Sequence, residues 1–165
     1  MEYIRTPKKY FKNLKDYPFT PNYLSVDGFQ MHYIHEGERS SPIILLLHGE
    51  PTWSYLYRKI IPRLVDAGFQ VIAPDLIGFG KSDKPVSSSV FTFSNHIKWL
   101  ESFINELDLS EITVFFQDWG SLIGLRVLTK NTHRFARVIL SNGGLPVGNE
   151  KIPKAFRYWR NFAKY

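Results

Sequence analysis

The stretch Ile112-Thr-Val-Phe-Phe-Gln-Asp-Trp-Gly-Ser-Leu-Ile-Gly124 decides the fold. Ile112 to Phe116 is an apolar, β-rich run, the pattern of a strand buried on both faces. From Gly120 to Leu128 the pattern turns helical, with Leu122, Ile123, Leu125 and Val127 supplying apolar surface. Between strand and helix lie only Gln117-Asp118-Trp119-Gly120, so the connection must be a sharp elbow. Such an elbow lifts its central side chain above the sheet, beside the positive end of the following helix. In the serine version the pattern is G-x-S-x-G; here Asp118 is central. A carboxylate is anionic at neutral pH and needs no base to become a nucleophile. Asp is also a common helix N-cap, and this stretch alone leaves both roles open. Phe116, two before Asp118, is large for a tight elbow and demands a small neighbour.

Working outward, strands and helices alternate. Tyr23 to Gly28 and Phe29 to His35 read as a hairpin turning at Asp27-Gly28. Ile43 to Leu47 reads as a buried strand ending at His48-Gly49-Glu50-Pro51, followed after Thr52 by a helix ended near Gly68. Phe69 to Asp75 is another strand, and a loop runs from Leu76 to Pro85. Ile97, Leu100, Ile104 and Leu107 have the spacing of an amphipathic helix. Arg137 to Asn142 is a further strand. Alternation of this kind predicts an α/β fold, a mostly parallel sheet with helices on both faces. Its ligand site belongs beyond the carboxyl ends of the strands. His48 to Trp53, Asp75 to Pro85 and Gln117 to Gly120 converge there. Residues 1–22 are expected to be irregular, 23–146 to form the core, and 147–165 to begin a cap.

Composition narrows the function. The chain has 165 residues, 44% of them hydrophobic and 16% aromatic, so it is globular, not disordered. Lacking cysteine, it has neither a disulfide framework nor a thiolate metal site. Its net charge of +6 comes from dispersed basic residues without a nucleic-acid motif, so no nucleic-acid partner is expected. Its apolar runs are too short to span a membrane and its N-terminus lacks a signal core, so a cytoplasmic protein without a membrane partner is expected. His48 is expected to be structural. Asp75 and Asp83 are expected to brace their loop, and no ligand cluster suggests a metal.

His48-Gly-Glu-Pro-Thr-Trp53, Pro74-Asp-Leu-Ile-Gly-Phe-Gly-Lys-Ser-Asp-Lys-Pro85 and Gln117-Asp-Trp-Gly120 together resemble the haloalkane dehalogenases, on the α/β-hydrolase fold. The resemblance covers the chain from about Tyr23 and is to the N-terminal part of that family. It implies hydrolysis of small haloalkanes to alcohol and halide, through an alkyl ester on Asp118, without a cofactor. By the same resemblance, Trp119 and Trp159 would hold the halide, Trp159 through the spacing Phe156-Arg-Tyr-Trp159, and Glu50 points to the subgroup with two such tryptophans. Glu50 and Trp119 would supply backbone N–H groups to the oxyanion, and Trp53 and Phe156 would line the pocket. The implied partners are the haloalkane, water and the halide ion, and a full-length protein would be a monomer.

Ester hydrolysis also needs a base, usually His held by a carboxylate, and in this fold both follow the nucleophile. Of the five histidines only His133 does so, at the far end of the helix leading away from the elbow. The expectation is therefore a sheet cut off after about its sixth strand, with the base and its acid partner missing and the Val138 strand left as an unpaired, poorly soluble edge. Epoxide hydrolases share the Asp elbow and would need a cap tyrosine, for which Tyr158 stands available. A non-catalytic remnant of the fold is the third reading.

Overall fold

The structure is a computed structural model that describes residues 2–144 and 153–162. In chain order the strands are β1 (Tyr3–Ile4), β2 (Asn22–Val26), β3 (Phe29–Glu36), β4 (Ile43–Leu47), β5 (Gln70–Pro74), β6 (Lys84–Pro85), β7 (Ile112–Gln117) and β8 (Phe135–Ser141). The helices are α1 (Ile61–Asp66), α2 (Phe93–Glu106), α3 (Trp119–Lys130) and α4 (Lys154–Phe162). The main sheet runs β2-β3-β5-β4-β7-β8. Its β2 and β3 are antiparallel additions, while β5, β4, β7 and β8 lie parallel. The expected mostly parallel α/β sheet is thus present.

Alternate residues of the central strands feed two cores, as the period of two requires. Leu45 and Leu47 of β4, Ile72 of β5, and Ile112, Val114 and Phe116 of β7 pack with Trp99, Leu100, Phe103 and Ile104 of α2 and Ile123 and Val127 of α3. On the opposite face Ile44, Leu46, Val71 and Ala73 pack with Ile61 of α1 and with Tyr57 and Tyr17. Helices therefore cover both faces.

Local chemistry explains the elements. Asp27 and Gly28 both take positive φ, 51° and 85°, as a two-residue hairpin turn of right-handed twist demands. Thr92 caps α2, accepting the Asn95 N–H at 3.1 Å. The helix expected after Thr52 is split: a 3-10 turn at Ser54–Tyr57 precedes the short α1, and Pro62 at its start fixes the entry. The N-terminal segment is less irregular than its composition suggests. Tyr3–Ile4 pairs antiparallel with Lys84–Pro85, and Arg5 clasps Asp83 through two bonds of 2.8 and 2.9 Å.

At the edge of the main sheet, β8 exposes Val138, Ile139 and Leu140 by 42, 49 and 48%. Three consecutive apolar side chains bare both faces of that strand, which among the described residues is the unpaired edge expected from the sequence. No helix among the described residues is long and apolar enough to cross a membrane.

Candidate active site

The elbow is built as its sequence requires. β7 ends at Gln117, α3 begins at Trp119, and Asp118 between them takes φ 51° and ψ −125°. This backbone is strained for a residue with a side chain. It is held from several sides: the Asp118 N–H donates to Ser141 O at 3.3 Å, and the Ser121 hydroxyl donates to Asp118 O at 2.6 Å. A Cβ on Gly120 would lie 2.5 Å from the carbonyl oxygens of Leu47 and His48, so only glycine lets the elbow close on the end of β4. The two roles open for Asp118 are separated here. It stands at the N-cap position, but its side chain makes no capping bond. Instead Oδ1 accepts the Glu50 N–H at 3.0 Å.

Phe116 finds its small neighbour one turn into α3. A Cβ on Gly124 would come within 2.5 Å of two ring carbons of Phe116, which is 1% exposed and hemmed in by the core. Gly124→Ala gains about 1 kcal/mol of helix propensity. Overpacking against the trapped ring costs about 1–3 kcal/mol and wins. Urea denaturation should show Gly124→Ala destabilised, with Phe116→Leu in the same chain restoring most of the loss. Destabilisation that persists in the double variant would locate the clash elsewhere.

The other two loops are tied to the elbow and to each other. The Gly49 N–H donates to Gln117 Oε1 at 3.1 Å. His48 is fully buried; its Nε2 accepts the Leu76 N–H at 2.9 Å, and its Nδ1 donates to Gly49 O at 2.9 Å. Burial holds the imidazole below its usual pKa against the opposing pull of Asp75. With both nitrogens engaged, His48 is structural, as expected. Asp75 receives the N–H groups of Ser54 and Lys81 and the His32 ring, each at 2.8 Å. Asp83 receives Arg5 and the Gln30 N–H. Both carboxylates brace the loop. No group of three or more metal-ligating side chains occurs among the described residues.

Beside the elbow opens a cleft of about 370 Å³, lined by Glu50, Leu76, Phe79, Phe91, His96, Trp119 and their neighbours. Its walls are mostly aromatic and aliphatic, so they present few polar groups to compete for an ion or dipole inside. Glu50 and Trp119 are thereby brought together next to Asp118. Trp53 is not. It stacks on Tyr55 at 5.5 Å and meets Phe11 and Tyr17 edge-on or tilted at 5.6 and 5.2 Å, on the opposite core. Among the described residues Trp53 is thus packed by Phe11 and Tyr17, distant in sequence, and is not on the wall of this cleft. Phe156 lies on α4, 42% exposed, and is not on the wall of this cleft among the described residues. The Trp159 side chain falls outside the described residues.

His96 is a lining residue that the sequence did not single out. Its Nδ1 is buried without a partner among the described residues, and its ring packs edge-on against Trp99 at 5.0 Å. Burial, aided by His48, holds its pKa down at about 4. Between its unfolded value of about 6.5 and that folded value, the unfolded chain takes up a proton that the folded chain refuses. Stability should therefore fall on acidification through this window, by up to about 3 kcal/mol. Urea midpoints at pH 7 and 4.5 check this; His96→Phe should flatten the drop, and an unchanged drop would exclude His96 as its source.

A family model for the alpha/beta hydrolase fold matches residues 42–164. The haloalkane dehalogenase of Psychrobacter cryohalolentis is 50% identical over 169 residues, 99% of this chain and 56% of that protein. The tetrameric haloalkane dehalogenase DpaA from Paraglaciecola agarilytica NO2 superposes with a TM-score of 0.94 at 43% identity, over 99% of this chain and 56% of that one. An epoxide hydrolase of Vigna radiata, VrEH1, is more distant: TM-score 0.74 and 26% identity, over 86% of this chain and 46% of that one. The chain thus spans a little over half the length of the dehalogenases it resembles. With sheet, elbow and matched residues in agreement, it belongs to the alpha/beta hydrolase fold family.

Proposed function

We propose that this chain carries the alkylating site of a hydrolytic haloalkane dehalogenase, with Asp118 as nucleophile. The observation that carries the reading is the asymmetric hold on its carboxylate. Glu50 N–H engages Oδ1, whereas Oδ2 accepts no hydrogen bond among the described residues. Oδ2 is therefore free to attack a carbon, and the carbon–halogen bond breaks as the ester bond forms. The departing halide needs N–H donors in an apolar setting, and the Trp119 indole, on the wall of the cleft, is one. Trp159 is proposed as the second. When water attacks the ester, charge develops on Oδ1, where the N–H groups of Glu50 and Trp119 form the oxyanion site. His48 has no free nitrogen for activating that water, and His133 sits on the 3-10 turn after α3. A base from the length of the relatives that this chain does not span is proposed instead.

The similarity to dehalogenases at about half identity supports this reading over epoxide hydrolysis. Opening an epoxide requires an acid at the ring oxygen, and Tyr158 is 76% exposed and lines a separate depression with Lys154, Arg157 and Asn161. The test is mass spectrometry of the chain incubated with 1-bromobutane. A butyl ester on the peptide containing Asp118, matched by one bromide released per chain, is expected. An unmodified Asp118 after prolonged exposure would refute the proposal.

A further inference from the structure

The peptide unit joining Gly49 to Glu50 is gripped from behind. Its carbonyl oxygen accepts three hydrogen bonds: from His48 Nδ1–H at 2.9 Å, from Thr52 N–H at 3.1 Å and from the Thr52 hydroxyl at 3.0 Å. The His48 tautomer is set by its other nitrogen, which accepts the Leu76 N–H. In a trans peptide the oxygen and the hydrogen point in opposite directions. The Glu50 N–H of this same unit therefore faces away from these donors, and it meets Asp118 Oδ1 at 3.0 Å. The Gly49 N–H, held by Gln117, keeps the unit from turning. Hydrogen bonds in series polarise one another.

We infer that His48 and Thr52 are positioning residues: they orient and polarise the 49–50 peptide so that the Glu50 N–H is a stronger donor to Asp118 Oδ1. The chain of bonds runs from the Leu76 amide through the His48 ring and the peptide to the carboxylate. Its chemical consequence rests on the ester proposed above. Hydroxide adds to the ester carbon, the carbonyl electron pair moves onto Oδ1, and collapse expels the alkoxide, which takes a proton from water. The charge on Oδ1 is what the polarised donor stabilises.

Thr52→Val keeps the shape of the side chain and removes one donor, and Thr52→Ser restores it. In the ¹⁵N-labelled chain, the Glu50 amide proton should move upfield in Thr52→Val and return in Thr52→Ser, while amides of β4 such as Leu45 stay in place. The butyl ester preformed on Asp118 and exposed to alkaline buffer should survive about fivefold longer in Thr52→Val, the worth of one neutral hydrogen bond, and regain its wild-type lifetime in Thr52→Ser. A Glu50 resonance unmoved in a folded Thr52→Val chain overturns the inference. If the wild type forms no ester, the dehalogenation reading falls, and the amide resonance still decides whether the peptide is polarised.

Discussion

Asp118→Asn is expected to abolish ester formation while leaving the fold in place. The amide has no negative charge to deliver to carbon, and loss of a nucleophile of this kind lowers the rate by at least about a thousandfold. The fold should hold because Asn tolerates positive φ and its carbonyl oxygen can still accept the Glu50 N–H. A second substitution sharpens the argument. At φ 51° and ψ −125°, Asp118 is strained by about 1–3 kcal/mol, a cost that glycine avoids. Asp118→Gly should therefore melt higher than the wild type and form no ester, the pattern of a position kept for chemistry at the expense of stability. Time courses of the ester peak, with thermal melts of all three chains, check both statements. An ester that accumulates in Asp118→Asn at the wild-type rate would show that another residue is the nucleophile.

What the sequence disclosed, and what it hid, divides along the range of the interactions. The hairpin at Asp27-Gly28 and the elbow at Asp118 rest on backbone conformations that a few neighbouring residues determine, and both stand where the sequence predicts. The two-faced burial of β4 follows from its continuous apolar run, whereas β7 fully buries only the face of Ile112, Val114 and Phe116 and leaves Thr113 and Phe115 half-buried on the other. Phe116 announced that something small must face it, and only the packed structure identifies Gly124 as that residue. The packing of Trp53 was hidden because its neighbours Phe11 and Tyr17 arrive from a segment whose path no local pattern describes. The pairing of Tyr3–Ile4 with Lys84–Pro85 was hidden for the same reason. His96 gave no signal beyond the helical period of α2; the burial of its Nδ1 is a property of the cleft. The triple grip on Gly49 O was equally invisible, since it depends on the orientation of one peptide plane.

The largest effect on stability is expected at Asp75, which touches no reacting atom. Its carboxylate is fully buried and joins three parts of the chain: Ser54 after the first loop, Lys81 in the second, and His32 on β3. The Asp75 N–H and C=O are also engaged, by His32 O and the Ser82 hydroxyl, so the residue is the knot on which the 75–85 loop hangs. In Asp75→Asn one oxygen becomes an NH₂ group, and a buried donor then faces a donor. Breaking such a buried charged contact costs about 3–5 kcal/mol. That is a large share of the roughly 5–15 kcal/mol that holds a domain together. Burial pushes the Asp75 carboxyl up, but the His32 hydrogen bond and charge, with His48 and the Lys81 amide, outweigh it and hold the pKa below its usual value. The stability this contributes is fully present above the unfolded value of about 3.9 and is lost as pH falls through the lower folded value. Urea midpoints should thus place Asp75→Asn well below the wild type at pH 7, with a gap that narrows under strongly acid conditions. A His96→Phe background removes the separate loss between about pH 6.5 and 4, so the two limbs can be measured apart. A variant within about 1 kcal/mol of the wild type at pH 7 would mean that the three donors find other acceptors, and that the loop is not held through Asp75.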